Sequence, residues 1–329
     1  MTITEPNTTQ VTDSWDSYWH GTAGAGAYSS GGVDHPAVQV FWQQFFADSK
    51  PLNSQPKIID LASGNGAVVD CILAAYEEPL PGLTCLDVSA AAVANIQKRF
   101  PDIEGIVSDA RSIPLESGSF DIVTSQFGVE YAGLDAVTEA ARLLATGGKL
   151  AFLLHHQQGS IYQECNDSLN AIRLLQSSRF IPLAIDMFRA GFEAVRGADR
   201  SAYEAAATQL APAIKTLEDI MTKYGQQVAG GMISSLYNDV ATIHQRIQHY
   251  EPQEILDWLE RMDGELDGYA GRMSSMNQSA LDADAFDGVQ NDLREANCKI
   301  EVAEPLLVEG SAIPLAWVLV AHKPAEIDQ

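Results

Sequence analysis

A short apolar run closed by an acid and then by small residues constrains this chain more than any other feature. Residues 57–66 read Lys-Ile-Ile-Asp-Leu-Ala-Ser-Gly-Asn-Gly, and a helix-like segment follows from Ala67. That order is the pattern of a strand feeding a tight loop and a helix N-terminus. The loop lacks bulky side chains, so a ligand is able to lie against its backbone. A second apolar run, Leu83 to Ser89, carries Asp87 near its end. An acid at the tip of a second strand is placed to hold the two hydroxyls of a ribose. Together these features point to a nucleoside-containing cofactor.

Two cofactor classes compete for the loop. The nicotinamide and flavin fingerprint is G-x-G-x-x-G, which holds a pyrophosphate on a helix N-terminus. Gly64 and Gly66 supply its first pair, but Val69 stands at the third position. Moving Ala62 into the first slot gives Ala62, Gly64 and Ala67, which is also imperfect. The second pattern is acid-x-Gly-x-Gly-x-Gly, the S-adenosylmethionine loop of class I methyltransferases. Asp60, Ala62, Gly64 and Gly66 resemble it with one Gly-to-Ala change. An acid at Asp60 would repel a nearby diphosphate but suits the cationic methionine end of S-adenosylmethionine.

The next residues favour the second pattern. Ile106-Val-Ser-Asp-Ala-Arg111 reads as a third strand ending in an acid, and 112–126 as a turn and a fourth strand. Residues 143–154 read as a helix end, a glycine turn and a fifth strand. The succession from about Lys57 to His156 resembles the class I methyltransferases, especially the small-molecule branch that includes the ubiquinone and menaquinone methyltransferases. The order and spacing of these pieces carry the resemblance, more than any one motif.

Alternation of short strands with helical segments argues for an α/β, doubly wound sheet with helices on both faces. The resemblance implies seven strands in the order 3-2-1-4-5-7-6, the seventh antiparallel. Residues 1–56 are expected to form an N-terminal aromatic and helical cap, in which His35 to Phe46 looks helical. Residues 57–156 would be the S-adenosylmethionine-binding core. Residues 157–281 are rich in helical runs and poor in strand-like ones: 169–180, 202–210, 214–224, 232–249 and 252–262 all look helical. They would be a large insertion after strand five, serving as a lid or substrate subdomain, or for dimerisation. Residues 282–329 would complete the core, with strands six and seven near 299–308 and 316–322.

Composition narrows the partners. Among 329 residues, 20 Lys and Arg face 44 Asp and Glu, a net charge of −24. Such a field repels phosphate backbones and anionic membranes, so neither nucleic acid nor a membrane is expected as partner. Four cysteines, Cys71, Cys85, Cys165 and Cys298, have no metal-pair spacing. A reduced state is the simpler reading of them, and no metal is expected. The N-terminus has no basic stretch followed by an apolar one, and no apolar run is long enough to span a bilayer. A soluble, cytoplasmic protein is the expectation.

Methyl transfer from a sulfonium asks the protein to align a nucleophile and exclude water. The resemblance assigns Asp60, Ala62, Gly64 and Gly66 to the methionine end of the cofactor. It assigns Asp87 to the ribose, Val88 to the adenine face, and Asp109 with the Ala110 amide to the adenine edge. A turn cap before Ser112 is the competing role for Asp109. Phe127, Glu130 and Tyr131 follow strand four, where the family places residues that meet the methyl group and the acceptor; ordinary packing of a helix turn is the competing role. His155 and His156 end strand five, and period-two alternation aims them at opposite faces. A histidine there has the pKa range of a general base, and a structural histidine is the competing role for each. Tyr18, Trp19 and Tyr28 lie in an N-terminal segment that in similar proteins folds over the cofactor, where aromatic faces attract a sulfonium. Hydrophobic docking of that segment is the alternative.

The expected function is thus methyl transfer from S-adenosylmethionine, releasing S-adenosylhomocysteine, to an oxygen, nitrogen or sulfur nucleophile of a small molecule. Two other readings stay open: a catalytically silent S-adenosylmethionine-binding protein, and a nucleotide-dependent oxidoreductase, which Val69 and Asp60 disfavour.

Overall fold

The computed structural model describes residues 35–49, 55–76 and 80–325. The aromatic residues Tyr18, Trp19 and Tyr28 lie outside them, as does most of the expected N-terminal cap. The described residues form two compact units, 35–163 with 275–325, and 164–274.

The first unit is built on a seven-stranded sheet in the order β3-β2-β1-β4-β5-β7-β6. The strands are β1 (Lys57–Leu61), β2 (Gly82–Asp87), β3 (Glu104–Val107), β4 (Phe120–Gln126), β5 (Leu144–His155), β6 (Lys299–Leu307) and β7 (Pro314–His322). Neighbours from β3 to β5 run parallel, and β7 is antiparallel to both β5 and β6. The expected order and the reversed last strand are both found.

Burial explains why these runs become strands. In central β1, Ile58, Ile59, Asp60 and Leu61 are all buried, as a parallel strand covered on both faces must be. At the edge, β6 alternates between exposed and half-buried residues and carries Pro305, which is tolerated where no further ladder partner is needed. Helices α1 (Pro36–Ser49), α2 (Ala67–Ala75), α3 (Ala90–Arg99), α4 (Leu134–Leu143) and α10 (Ala283–Glu295) belong to this unit. The side chains of Ser89 and Asp282 accept the backbone N–H of Ala92 and Ala285, capping α3 and α10. One core packs Phe152, Val123 and Leu150 of the sheet with Ala140 and Ala141 of α4 and Phe286 and Val289 of α10.

Some boundaries move. The third strand is Glu104–Val107, so Asp109 lies on the turn beyond it rather than at its end. Residues 144–148, expected as a glycine turn, are the start of the twelve-residue β5. Gly147 takes a left-handed φ of 82° there, and a Cβ on Gly148 would lie 2.8 Å from the Asp121 carbonyl oxygen.

Between β5 and α10 the chain runs through α5 (Ser160–Ser178), α6 (Phe180–Val195), α7 (Ser201–Tyr224), α8 (Met232–Gln245) and α9 (Pro252–Ser279). The helical runs expected at 202–210 and 214–224 are one helix, α7, which carries Pro212 within it. Proline removes a single N–H from the ladder, and tertiary packing outweighs that loss here: Leu210, Ala213 and Leu217 are all in the unit's core. Helix α6 was not anticipated, although Phe180, Ala184, Met187 and Phe188 recur at helical spacing and are buried. No described helix is long and apolar enough to cross a membrane.

Phe152 is fully buried in the sheet core. Phe152→Ala is expected to cost about 3–5 kcal/mol of stability, read as a lower urea midpoint at unchanged slope.

Candidate functional site

The carboxyl ends of β1 and β2 meet around one loop. Asp60 sits inside β1, level with Cys85 on β2 and Thr124 on β4. Its carboxylate is buried and accepts the Thr124 hydroxyl at 2.8 Å. Burial, partly offset by hydrogen bonds from the Thr124 and Ser63 side chains and reinforced by the like charge of neighbouring Asp87, pushes the Asp60 pKa up to about 7. A cationic ligand group beside Asp60 would supply the counter-charge that the fold leaves out.

The loop from Ala62 to Gly66 turns through left-handed geometry, with positive φ at Ala62, Gly64 and Gly66. Glycine adopts this without penalty at two of the three. Ser63 holds the turn, donating its hydroxyl to the Asp60 carbonyl at 2.7 Å and its N–H to the Leu86 carbonyl at 3.1 Å. Asp87, the last residue of β2, reaches across to it. One carboxylate oxygen accepts the Gly64 N–H at 2.9 Å and the other the Ser89 N–H at 2.8 Å. Behind the loop, Arg99 at the end of α3 donates to the Asn65 carbonyl and to both carboxylate oxygens of Asp70. Sequence reasoning missed Arg99, because 34 residues separate it from Asn65. Val88 is exposed beside Asp87, and Ala110 is buried.

Asp109 is engaged locally. Both its oxygens accept from the Arg111 guanidinium, and one also accepts the Arg111 N–H. The guanidinium holds the Asp109 carboxyl below the usual range.

A second cluster forms at the ends of β4 and β5. The parallel pairing of Gln126 with Leu153 brings the segment after β4 beside the end of β5. Glu130 Oε1 there accepts the His155 backbone N–H at 3.0 Å and lies 2.6 Å from His155 Nδ1. The two side chains are 1% and 0% exposed. A carboxylate within hydrogen-bond reach of Nδ1 orients the ring. The Phe127 ring lies 4.7 Å from the imidazole and the Tyr131 ring 5.6 Å, edge-on. Phe127 holds a left-handed φ of 53°, and Gly128 is required beside it: a Cβ would stand 2.5 Å from that of Ala62. The cofactor-loop candidate and the post-β4 segment are thus in direct contact.

His156 goes elsewhere. It stacks on Trp317 at 4.1 Å, Trp317 stacks on Phe286 at 4.3 Å, and His156 Nδ1 accepts the Gln158 N–H at 3.0 Å. Burial lowers its pKa. The structure brings Glu130, Tyr131, Phe127 and His155 together and leaves His156 in a packing stack.

A methyltransferase-domain family model matches residues 59–152. The chain is similar to an uncharacterized methyltransferase of Schizosaccharomyces pombe, 26% identical over 149 residues, covering 44% of this chain and 57% of that one. It is 28% identical over 123 residues to a ubiquinone/menaquinone biosynthesis C-methyltransferase of Campylobacter jejuni, covering 35% and 52%. A demethylmenaquinone methyltransferase of Chlorobaculum tepidum is 35% identical over 98 residues, covering 29% and 38%. The chain spans about half the length, or less, of these curated relatives. Among solved structures, a geranyl diphosphate C-methyltransferase from Streptomyces coelicolor A3(2) aligns at 16% identity and a TM-score of 0.36, over 46% of this chain and 65% of that one.

The buried Asp60 generates a pH prediction. Its raised folded pKa means that the folded state binds the proton more tightly than the unfolded chain. Its contribution is therefore full below the unfolded value near 4 and lost as pH rises through about 7. Asp60→Asn, which mimics the protonated form, is expected to be more stable than the parent above pH 7, by on the order of a few kcal/mol. The two stabilities should converge as pH falls toward 4, measured by urea unfolding across pH.

Proposed function

From its class I, S-adenosylmethionine-dependent methyltransferase domain we infer that this protein transfers a methyl group to an oxygen, nitrogen or sulfur nucleophile of a small molecule. One observation carries the reading. Two buried acids, Asp60 and Asp87, close the carboxyl ends of adjacent strands around a left-handed glycine loop, at the edge where open α/β sheets bind ligands.

The residues fit the cofactor. Asp60 meets the cationic methionine end, with Gly64 and Gly66 allowing close backbone approach and Ala62 continuing the loop. Asp87 accepts from the ribose hydroxyls while its bonds to Gly64 and Ser89 keep it oriented. Val88, Asp109 and the Ala110 amide are assigned to the adenine, and Tyr18 and Tyr28 to the sulfonium side. When bound, S-adenosylmethionine supplies a methyl group on a neutral leaving group, so the protein need not activate the donor.

The protein's work falls on the acceptor. His155, its ring oriented by the Glu130 carboxyl, accepts the proton that an O–H, N–H or S–H nucleophile must lose. Glu130 acts through His155 as a positioning residue. Phe127 and Tyr131 wall the imidazole and exclude water from it. His156 is the weaker candidate base, given its stack on Trp317. A relative named for ubiquinone/menaquinone biosynthesis and another named demethylmenaquinone methyltransferase support a small-molecule acceptor. The assignment of 157–281 to acceptor choice or to a homodimer, a cytoplasmic setting, and the lack of nucleic-acid or membrane partners belong to the same proposal.

Calorimetric titration tests it. Micromolar binding of S-adenosylmethionine and S-adenosylhomocysteine without binding of NADH is expected; the reverse would return Gly64 and Gly66 to a dinucleotide loop. Asp87→Ala should keep the fold and weaken both adenosyl ligands more than tenfold, and unchanged affinity would overturn the ribose assignment. Because a cationic ligand favours ionised Asp60, S-adenosylmethionine affinity should rise with pH up to about 7 and then level. Asp60→Asn should flatten that profile at the weaker value.

A further inference from the structure

We propose that the helical unit carries a small-molecule site of its own, for a neutral and largely apolar ligand with one hydrogen-bonding group. A cleft of about 220 Å³ opens between α6, α7 and α8, entirely within residues 180–245. Its floor is Phe180, Met187, Leu210 and Val240, all buried members of the unit's hydrophobic core. The walls include Ala207 on α7 and Ala241 on α8. Small side chains at these two positions leave the volume that a larger residue would fill. In a well-packed interior such voids are few, and one that opens to the surface while its floor remains core is a place for an apolar guest.

The rim sets the ligand's chemistry. None of the lining residues is Asp, Glu, Lys or Arg, in a chain with 64 such residues (20 + 44). A charged ligand entering would lose hydration without gaining a counter-charge, so the occupant is neutral. Polarity is confined to the mouth, where His244 and Gln245 stand beside Tyr237. His244 Nε2 lies in hydrogen-bond contact with Tyr203 Oη, which fixes the ring at the rim. Tyr237 Oη donates to Glu218 at 3.1 Å, so its ring faces the cleft with its hydroxyl already anchored. An apolar body thus sits on the floor with a hydroxyl or carbonyl at His244 or Gln245. A cavity of roughly 150 Å³ holds a benzene ring, so this one suits a bicyclic or short branched molecule. The site does not rest on the methyltransferase reading.

The test uses 2-naphthol, a neutral bicyclic probe with one hydroxyl, titrated into the full-length protein by calorimetry and methyl NMR. One saturable site is expected, with the Met187 and Ile214 methyl signals shifting. Ala241→Leu, at an exposed position that tolerates the larger side chain, should weaken binding at least tenfold, and His244→Ala several-fold. The far-UV circular dichroism and the methyl NMR dispersion of both variants should match the parent, which reports an intact fold without drawing on any S-adenosylmethionine binding. Absence of saturable binding, shifts confined to other methyl groups, or binding that neither substitution weakens would overturn the site.

Discussion

The bridge made by Asp87 is the interaction on which the carboxyl edge of the first unit's sheet depends. Its two carboxylate oxygens take the N–H of Gly64 from the loop after β1 and the N–H of Ser89 at the start of α3. Both are backbone donors that would otherwise lack an intrahelical or ladder partner. Hydrogen bonds to a charged acceptor are about twice as strong as neutral ones. One side chain thereby fixes the loop's left-handed turn and the helix start together. Arg99 closes the assembly from behind by holding the Asn65 carbonyl and Asp70. The result is a rim of backbone donors and carboxylate acceptors held by its own hydrogen bonds.

Asp60 shows the opposite economy. A carboxyl group fully buried beside the Thr124 and Ser63 hydroxyls, with Asp87 near it, is unfavourable when ionised. Perturbed carboxyl groups of this kind cluster at functional sites. The Glu130–His155 pair is settled differently: the carboxylate is held by two donors from one residue, so the pair is locked in a single orientation. Gly128 matters to both, because its missing Cβ lets the post-β4 segment lie against Ala62 of the loop.

The helical unit has a separate logic. Its core is closed by α5 to α9 on apolar side chains at helical spacing, and Pro212 is absorbed within α7. Periodicity showed that this stretch was helical. It did not show α6, or that two runs flanking Pro212 were one helix, because proline is read locally as a stop while burial of Leu210, Ala213 and Leu217 is a tertiary gain.

What the sequence determined by itself is whatever local pattern encodes. The buried runs of β1, β2, β4 and β5, the small-residue loop after Asp60, and the acid at the end of β2 were all legible, because strand burial and turn geometry depend on residues within a few positions. The strand order was legible only through resemblance. Tertiary structure decided what depends on distant partners. His155 and His156 are adjacent and chemically alike, yet one meets a carboxylate 25 positions away and the other stacks on Trp317. Asp109 looked like a strand-end acid until β3 stopped at Val107 and Arg111 folded back on it. Arg99 gave no local signal at all. Side-chain role follows from which groups the sheet register and helix packing bring within about 3 Å, and no window of sequence contains that distance.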